Sequence, residues 1–323
     1  MDIGLDIGYS STKVVGPDGR RILIPSAVGT PETGRFSLNG SDTITMIEPT
    51  HRAVGDAAIL QSRFLQRRED RNWIESDEWY TIFLAALSEM TTATRANIRL
   101  VTGLPIAFYA DRATIKDRLI GPHRMKRENR HAQVLTVAQC HVIPQPFGSL
   151  LAETLDDRGY IANKSLALGS IGVIDSGAKT TNLLSVRKLA EIGRETASVN
   201  VGAWDAVRAL RDWLSNRYPG LEDLRDHQLA GAIRTRHIQY YGDSIDLTIV
   251  DHIITPLAEQ IITEATRLWN GGATLDVILL TGGGALLLGD RIAAHFPHTV
   301  SCQDPVFANA LGYYRLSQRL GKI

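Results

Sequence analysis

Two short stretches carry the side chains best suited to chemistry. The first is Asp6-Ile7-Gly8-Tyr9-Ser10-Ser11-Thr12-Lys13, which follows the apolar residues 3–5 and leads into Val14 and Val15. Read as strand, turn and strand, it is a hairpin whose tip offers backbone N–H groups, hydroxyls and one ammonium. Such a tip suits a polyanion, and the aspartate beneath it suits a divalent cation bound to that polyanion. Val173-Ile174-Asp175-Ser176-Gly177-Ala178-Lys179-Thr180-Thr181 repeats the scheme. A third glycine-rich turn, Gly282-Gly283-Gly284, follows the apolar strand ending at Thr281. Its bare backbone opens a helix read over residues 285–296, whose N-terminus faces the ligand.

The elements that hold these turns follow from periodicity. Residues 3–7, 13–15 and 21–24 read as three short strands, with Pro17-Asp18-Gly19 as the second turn. Residues 26–75 are rich in Pro, Gly, Ser and Thr and read as a small inserted subdomain, with strands at 36–39 and 43–48 and a helix within 54–65. Residues 76–90 form a helix on which Trp79, Ile82, Phe83, Ala86, Leu87 and Met90 share one face. Ser76 caps it, and Asp77 and Glu78 suit its first turn. A strand at 98–102 reaches Gly103-Leu104-Pro105, and a helix over 111–119 stops at Gly121-Pro122.

The basic run His123, Arg124, Lys126, Arg127, Arg130 and His131 reads as a solvated loop before a strand at 132–137. Another strand at 140–143 leads to Pro144-Gln145-Pro146-Phe147-Gly148, the opening of a helix, and the polar residues 159–169 mark a domain crossing. The second half repeats the first. Strands at 171–175 and 181–186 precede a helix that starts at Gly202 with Val207, Leu210 and Leu214 on one face. A short helix follows over 224–233. Residues 245–269 keep apolar spacing of three and four as domain core, and Pro256 predicts a kink or a break. His295 and His298 read as surface histidines, since Pro297 separates them and no third metal ligand is evident.

Composition excludes several classes. The 323 residues allow about two domains. With 35 basic and 35 acidic residues the net charge is zero, so nothing at the whole-chain level asks for nucleic acid or an anionic membrane. No stretch approaches the ~20 apolar residues of a spanning helix. The opening on a core strand speaks against a cleaved signal peptide. Cys140 and Cys302 are the only cysteines and form no CxxC pair, which fits buried thiols in a reducing cytoplasm and argues against zinc or a disulfide framework.

The order Asp-x-Gly, Asp-x-Gly, Gly-Gly-Gly resembles the actin/DnaK-chaperone/sugar-kinase ATPase superfamily. Further motifs agree: Gln145 at the first linking helix, Gly202-x-x-Asp205, and Ala308-Asn309-Ala310-Leu311-Gly312 at the second. Gly103-Leu104-Pro105-Ile106 with Tyr109, the opening GLDIGYSSTKVVGPDGRRI-x-x-PS and the closing FANALGY are similar to ParM/StbA plasmid-segregation actins and archaeal actin-like ATPases. This resemblance implies an α/β fold of two duplicated actin-like (ribonuclease H-like) domains flanking a nucleotide cleft. Domain I would take residues 1–160 and 304–323, with a subdomain at about 26–95. Domain II would take 161–303, with a helical subdomain at about 203–270.

The same resemblance implies hydrolysis of ATP, with GTP as a second candidate, in the presence of Mg²⁺. It also implies head-to-tail filaments, a cytoplasmic setting and a DNA-bound adaptor as partner in plasmid partition. Asp6 and Asp175 would hold Mg²⁺ through its water shell. Gly8, Ser10, Ser11, Thr12 and Lys13 would bind the β- and γ-phosphates from one side, and Gly177, Lys179, Thr180 and Thr181 from the other. Gly202, Asp205, Gly282, Gly283 and Gly284 would complete the nucleotide site. Gln145 would align the attacking water and, being an amide rather than a base, predicts slow turnover. Ala178-Lys179 and Asn182 depart from the family, where a further glycine and an aspartate are common, and no adenine-contacting Lys/Glu pair follows Gly202. Two other readings are a small-molecule kinase on the same fold and a nucleotide-gated scaffold without hydrolysis. An acceptor requirement would mark the first, and binding without phosphate release the second.

Overall fold

A computed structural model describes residues 1–31, 44–66 and 71–322. The strand expected at 36–39 lies outside the described residues. The chain divides into two compact units: Met1–Asn163 with Phe307–Ile323, and Lys164–Val306.

The first unit begins with β1 (Asp2–Ile7), β2 (Ser11–Val15) and β3 (Arg21–Pro25), an antiparallel meander. The inserted stretch adds β4 (Val28–Gly29), β5 (Ile44–Glu48), β6 (Arg52–Val54), the short helix α1 (Asp56–Gln61) and β7 (Leu65–Gln66). Then come α2 (Asp77–Met90), β8 (Arg95–Leu104), α3 (Arg112–Leu119), β9 (Gly121–Arg127), β10 (Gln133–Pro144) and α4 (Gln145–Thr154). The sheet order among the described residues is β3-β2-β1-β8-β10-β9-β5-β6-β4-β7. Its parallel centre, β1, β8 and β10, is buried by α2, whose Ile82, Phe83, Leu84 and Leu87 are fully buried beside Leu5 and Leu100. Ser76 caps α2 as expected, its Oγ accepting from Trp79 N at 3.1 Å.

Three expectations change here. The helix within 54–65 shortens to α1. The strands at 132–137 and 140–143 are one strand, β10, with a register shift between Val137 and Gln139. The basic run is not all loop: His123, Arg124, Lys126 and Arg127 lie on β9, and Arg130 and His131 follow it. Arg124 pairs with Glu48 at 3.1 Å, and Arg127, buried, pairs with Glu89. His123 is buried: its Nε2 donates to Leu119 O at 2.7 Å, so Nδ1 must accept from the Tyr80 hydroxyl at 2.8 Å. Burial holds this imidazole below its ordinary value, against the opposing effect of the Leu119 hydrogen bond. Charge count alone could not reveal the pairing, because both acids lie on other elements.

The second unit starts with α5 (Lys164–Leu168), then β11 (Ser170–Ser176), β12 (Thr181–Arg187), β13 (Ala190–Glu191) and β14 (Ala197–Val199). Next are α6 (Ala203–Ser215), α7 (Asp226–Thr235), the small hairpin β15 (His237–Tyr240) and β16 (Asp243–Asp246), and α8 (Ile249–Leu268). Finally β17 (Val277–Thr281), α9 (Ala285–His295) and β18 (Thr299–Ser301) complete it. The order is β13-β12-β11-β17-β18, with β14 beside β12. A hairpin next to parallel strands thus recurs: β1–β2 beside β8 and β10, β11–β12 beside β17 and β18. The helix α10 (Ala308–Leu320) returns to the first unit.

α8 runs through Pro256 without the break that was the alternative to a kink. Pro256 and His252, whose carbonyl loses its partner, are both exposed, so water can satisfy that carbonyl. His295 is exposed as expected, whereas His298 is half-buried. Both cysteines are buried, and burial pushes the Cys140 thiol up to about 12. No described helix is long and apolar enough to cross a membrane.

Candidate functional site

In each unit the chemistry-bearing turns sit where parallel strands end, at the carboxyl edge of the sheet, the usual ligand edge of α/β architecture. In the first unit β1 and β2 pair Asp6 with Lys13 and Ile7 with Thr12. The turn closes by Gly8 N donating to Ser11 O at 3.2 Å. Asp6 is 4% exposed, yet its carboxylate has two polar neighbours. Gln145 Nε2 donates to Oδ1 at 2.6 Å, and Lys13 Nζ stands 3.9 Å from Oδ2. Lys13 also donates to Ser11 O at 3.2 Å.

Gln145 reaches Asp6 because β10, two strands from β1, ends one residue earlier. It occupies the first position of α4, after Pro144 at the cap, so its side chain does not cap the helix. With the amide nitrogen committed to Asp6, the amide oxygen is left as an acceptor for a water O–H. Tyr313 Oη, from α10, donates to the Gln145 carbonyl at 3.1 Å. That tyrosine fits only because Gly103 and Gly148 lack side chains: a Cβ at Gly103 would lie 1.9 Å from its hydroxyl. Gly312 does the same for the α4–α10 crossing, its missing Cβ falling 1.7 Å from Gly148 O.

The second unit builds its turn alike. Asp175, 4% exposed, pairs with Asn182 across the ladder, and Gly177 N donates to Thr180 O at 2.9 Å. The start of α6 grips this tip: Ala203 N donates to Gly177 O at 3.1 Å and Trp204 N to Ala178 O at 2.8 Å. Gly202 has to be glycine for that contact, since a Cβ would meet Ala178 O at 2.3 Å. Asp205 accepts from Gly202 N at 2.9 Å and pairs with Arg208 at 2.6 Å, so it serves the helix start. Gly284 N donates to Ser176 O at 2.8 Å, and Cβ atoms at Gly282 or Gly284 would strike Ser176. Gly283 is exposed, and a Cβ added there would meet nothing within 4 Å.

The predicted residues therefore sort by orientation. Ser10 is exposed, and Gly8, Ser11, Lys13, Gly177, Lys179 and Thr180 are half-buried at the two tips. Thr12 and Thr181 are fully buried and brace their hairpins inward, Thr12 Oγ1 on Ser26 Oγ at 3.0 Å and Thr181 Oγ1 donating to Val201 O at 2.8 Å. Ser26, Tyr313 and Pro305 were given no role in the sequence. Ser26 N also holds Ser10 O at 2.9 Å, and Pro305 O accepts from Gly282 N at 2.9 Å. Ser26 and Tyr313 lie in the PS and FANALGY motifs, which supplied the only signal available.

Oxygen-rich turns suit a hard cation. Among the described residues no three His, Cys, Asp or Glu side chains gather as a metal cage. Asp6 already faces an ammonium and an amide, which disfavours direct ligation. A hydrated cation, held through its water shell, would suit that environment.

Residues 4–148 match the model for the N-terminal domain of actin-like proteins, and residues 173–294 that for the C-terminal domain of archaeal MreB-like actin homologues. The chain belongs to the actin-like proteins. It is 26% identical to an archaeal actin homologue of Thermoplasma volcanium, with 98% of each chain covered. The actin-like fold is shared with solved structures. One is the archaeal actin homologue Ta0583 in complex with ADP, at 21% identity and TM-score 0.81 with 99% of each chain covered. Another is a 15-stranded ParM filament from Clostridium botulinum, at 22% identity and TM-score 0.81, covering 98% of this chain and 99% of that one.

Proposed function

We propose that this actin-like chain is a slow Mg²⁺-dependent ATPase whose nucleotide state governs its assembly into filaments. The observation that carries the reading is the contact of Gln145 with Asp6 at 2.6 Å, beside Lys13. It sets a water-accepting amide, a carboxylate and an ammonium at one turn.

The chain's own part in hydrolysis is positioning and charge. Backbone N–H groups of both tips, Ser10, Ser11 and Thr180 bind phosphate oxygens, and Lys13 and Lys179 offset their charge. Gln145 Oε1 accepts a proton-bearing bond from the attacking water and fixes its line of approach, while Asp6 fixes Gln145. The amide takes no proton, so water reaches the phosphorus without a strong base and turnover stays low. Asp6 and Asp175 would hold the hydrated Mg²⁺, which when bound offsets charge on the β- and γ-phosphates.

Support for assembly comes from the family and from the ParM filament of the same fold. Plasmid partition with a DNA-bound adaptor, in the cytoplasm, is the cellular setting we infer from that likeness. The test is phosphate release alongside light scattering, with ATP, GTP and a non-hydrolysable analogue. Release without any added acceptor, and scattering that rises with nucleotide, are the expected results. Nucleotide binding with no release would instead mark a scaffold, and release only with an acceptor a kinase.

A further inference from the structure

The second unit has a groove that none of these roles uses. It measures about 710 Å³ and runs between Ser198, Val199 and Asn200 on one side and Pro256, Glu259 and Glu264 of α8 on the other. β14 pairs with β12 alone, so among the described residues its outer edge has no strand beside it. Such an edge presents backbone donors and acceptors to any extended chain laid along it. The helix wall carries two carboxylates and no basic side chain. Glu264 is held by Arg267 at 2.5 Å, whereas Glu259 is exposed in the groove wall.

The strand side of the groove is tied to the second hairpin. Ser198 Oγ donates to Asn182 Oδ1 at 2.7 Å, and Asn182 is the ladder partner of Asp175. Past Asn200 the chain reaches Val201, whose carbonyl holds Thr181, and then Gly202, which rests on the hairpin tip.

We propose that this groove docks an extended, basic segment of a partner protein, which adds to the β14 edge and tunes turnover at the Asp175 hairpin. Side chains of an added strand alternate, so every second residue faces α8, where a lysine or arginine meets Glu259. Docking stands on the groove itself; the tuning rests on the nucleotide reading above.

The probe is a fluorescent peptide of alternating lysine and threonine, with a glutamate–threonine peptide as control, titrated into the full chain by anisotropy. The lysine peptide should saturate, and its affinity should fall about tenfold or more in Glu259→Lys and with added salt. Saturation should change phosphate release in the wild type, and Ser198→Ala should bind the peptide while losing that response. No binding, equal binding by Glu259→Lys, or equal binding of the control peptide overturns docking. Loss of self-assembly in Glu259→Lys, with the peptide ignored, assigns the groove to a second copy and also overturns it. Peptide binding with unchanged turnover overturns the tuning. A wild type that releases no phosphate without peptide defeats the ATPase reading, and anisotropy still decides docking.

Discussion

The two Asp-x-Gly hairpins share their turn and differ in what surrounds it. Each closes by a glycine N–H on the carbonyl three residues ahead, and each is braced by a buried threonine. Opposite the aspartate, however, the first places Lys13 and the second Asn182. Asp6 therefore lies beside an ammonium and the Gln145 amide, while the ladder partner of Asp175 is a neutral amide engaged by Ser198. The supports differ as well. Ser26 steadies the first tip through two hydrogen bonds, whereas α6 and the triple glycine clamp the second with backbone. Duplicated halves can thus keep one backbone frame and differ in its surroundings: the first hairpin carries an amide and an ammonium beside its aspartate, and the second is clamped by backbone.

Removing a carboxylate tests that difference most severely. Asp175→Ala should keep its fold by circular dichroism and lose phosphate release altogether, because the magnesium ion loses an anchor. Wild-type release in this variant would leave Asp6 as the sole acidic anchor and end the pairing of the hairpins. Gln145→Ala comes next: release should slow by about a hundredfold, the scale of a lost transition-state contact. Nucleotide affinity, read by fluorescence titration, should stay near the wild-type value. A comparable loss of affinity would make Gln145 a support for Asp6 and not a positioner of water.

Much of this frame was legible from the residues alone. Three strand-to-turn motifs in a fixed order name both hairpins, because a turn of four residues is local and its sequence requirements are strict. Side-chain orientation was less legible. Thr12 and Thr181 look like phosphate ligands by type, yet strand alternation turns them inward, away from Ser11 and Thr180. Gly202, Gly282 and Gly284 read as room for a ligand, and their missing side chains first make room for protein: backbone at Gly202 and Gly282, the Ser176 hydroxyl at Gly284. The β9 strand was hidden for a different reason: Glu48 and Glu89, which neutralise its arginines, are far from it in sequence. Long-range pairing of charge leaves no local pattern to read.

The triple glycine offers a finer test of the clamp on the second hairpin. Gly282 has φ +86° and a missing Cβ that would fall 2.2 Å from Ser176 O and 2.7 Å from Asp175 Oδ1. Gly282→Ala should therefore destabilise the protein by at least ~2 kcal/mol, from strain and overpacking together. Chemical denaturation would measure it, and a change under half that size would mean the clamp is soft. Lys13→Asn, which gives the first hairpin the residue of the second, should weaken nucleotide binding about tenfold, or ~1.4 kcal/mol, and leave unfolding nearly unchanged. Unaltered affinity would show that Lys13 serves only Asp6 and the Ser11 carbonyl.

Gly283 is the control within the same turn. Its position is exposed, its φ is not in the left-handed region, and no atom lies within 4 Å of an added Cβ. Gly283→Ala should shift stability by less than ~0.5 kcal/mol, the range of an ordinary surface change. A loss of nucleotide affinity at unchanged stability would place Gly283 against the nucleotide. Equal destabilisation by Gly283→Ala and Gly282→Ala would instead show that all three glycines are structural, and the second hairpin would then owe its ligand contacts to its tip alone.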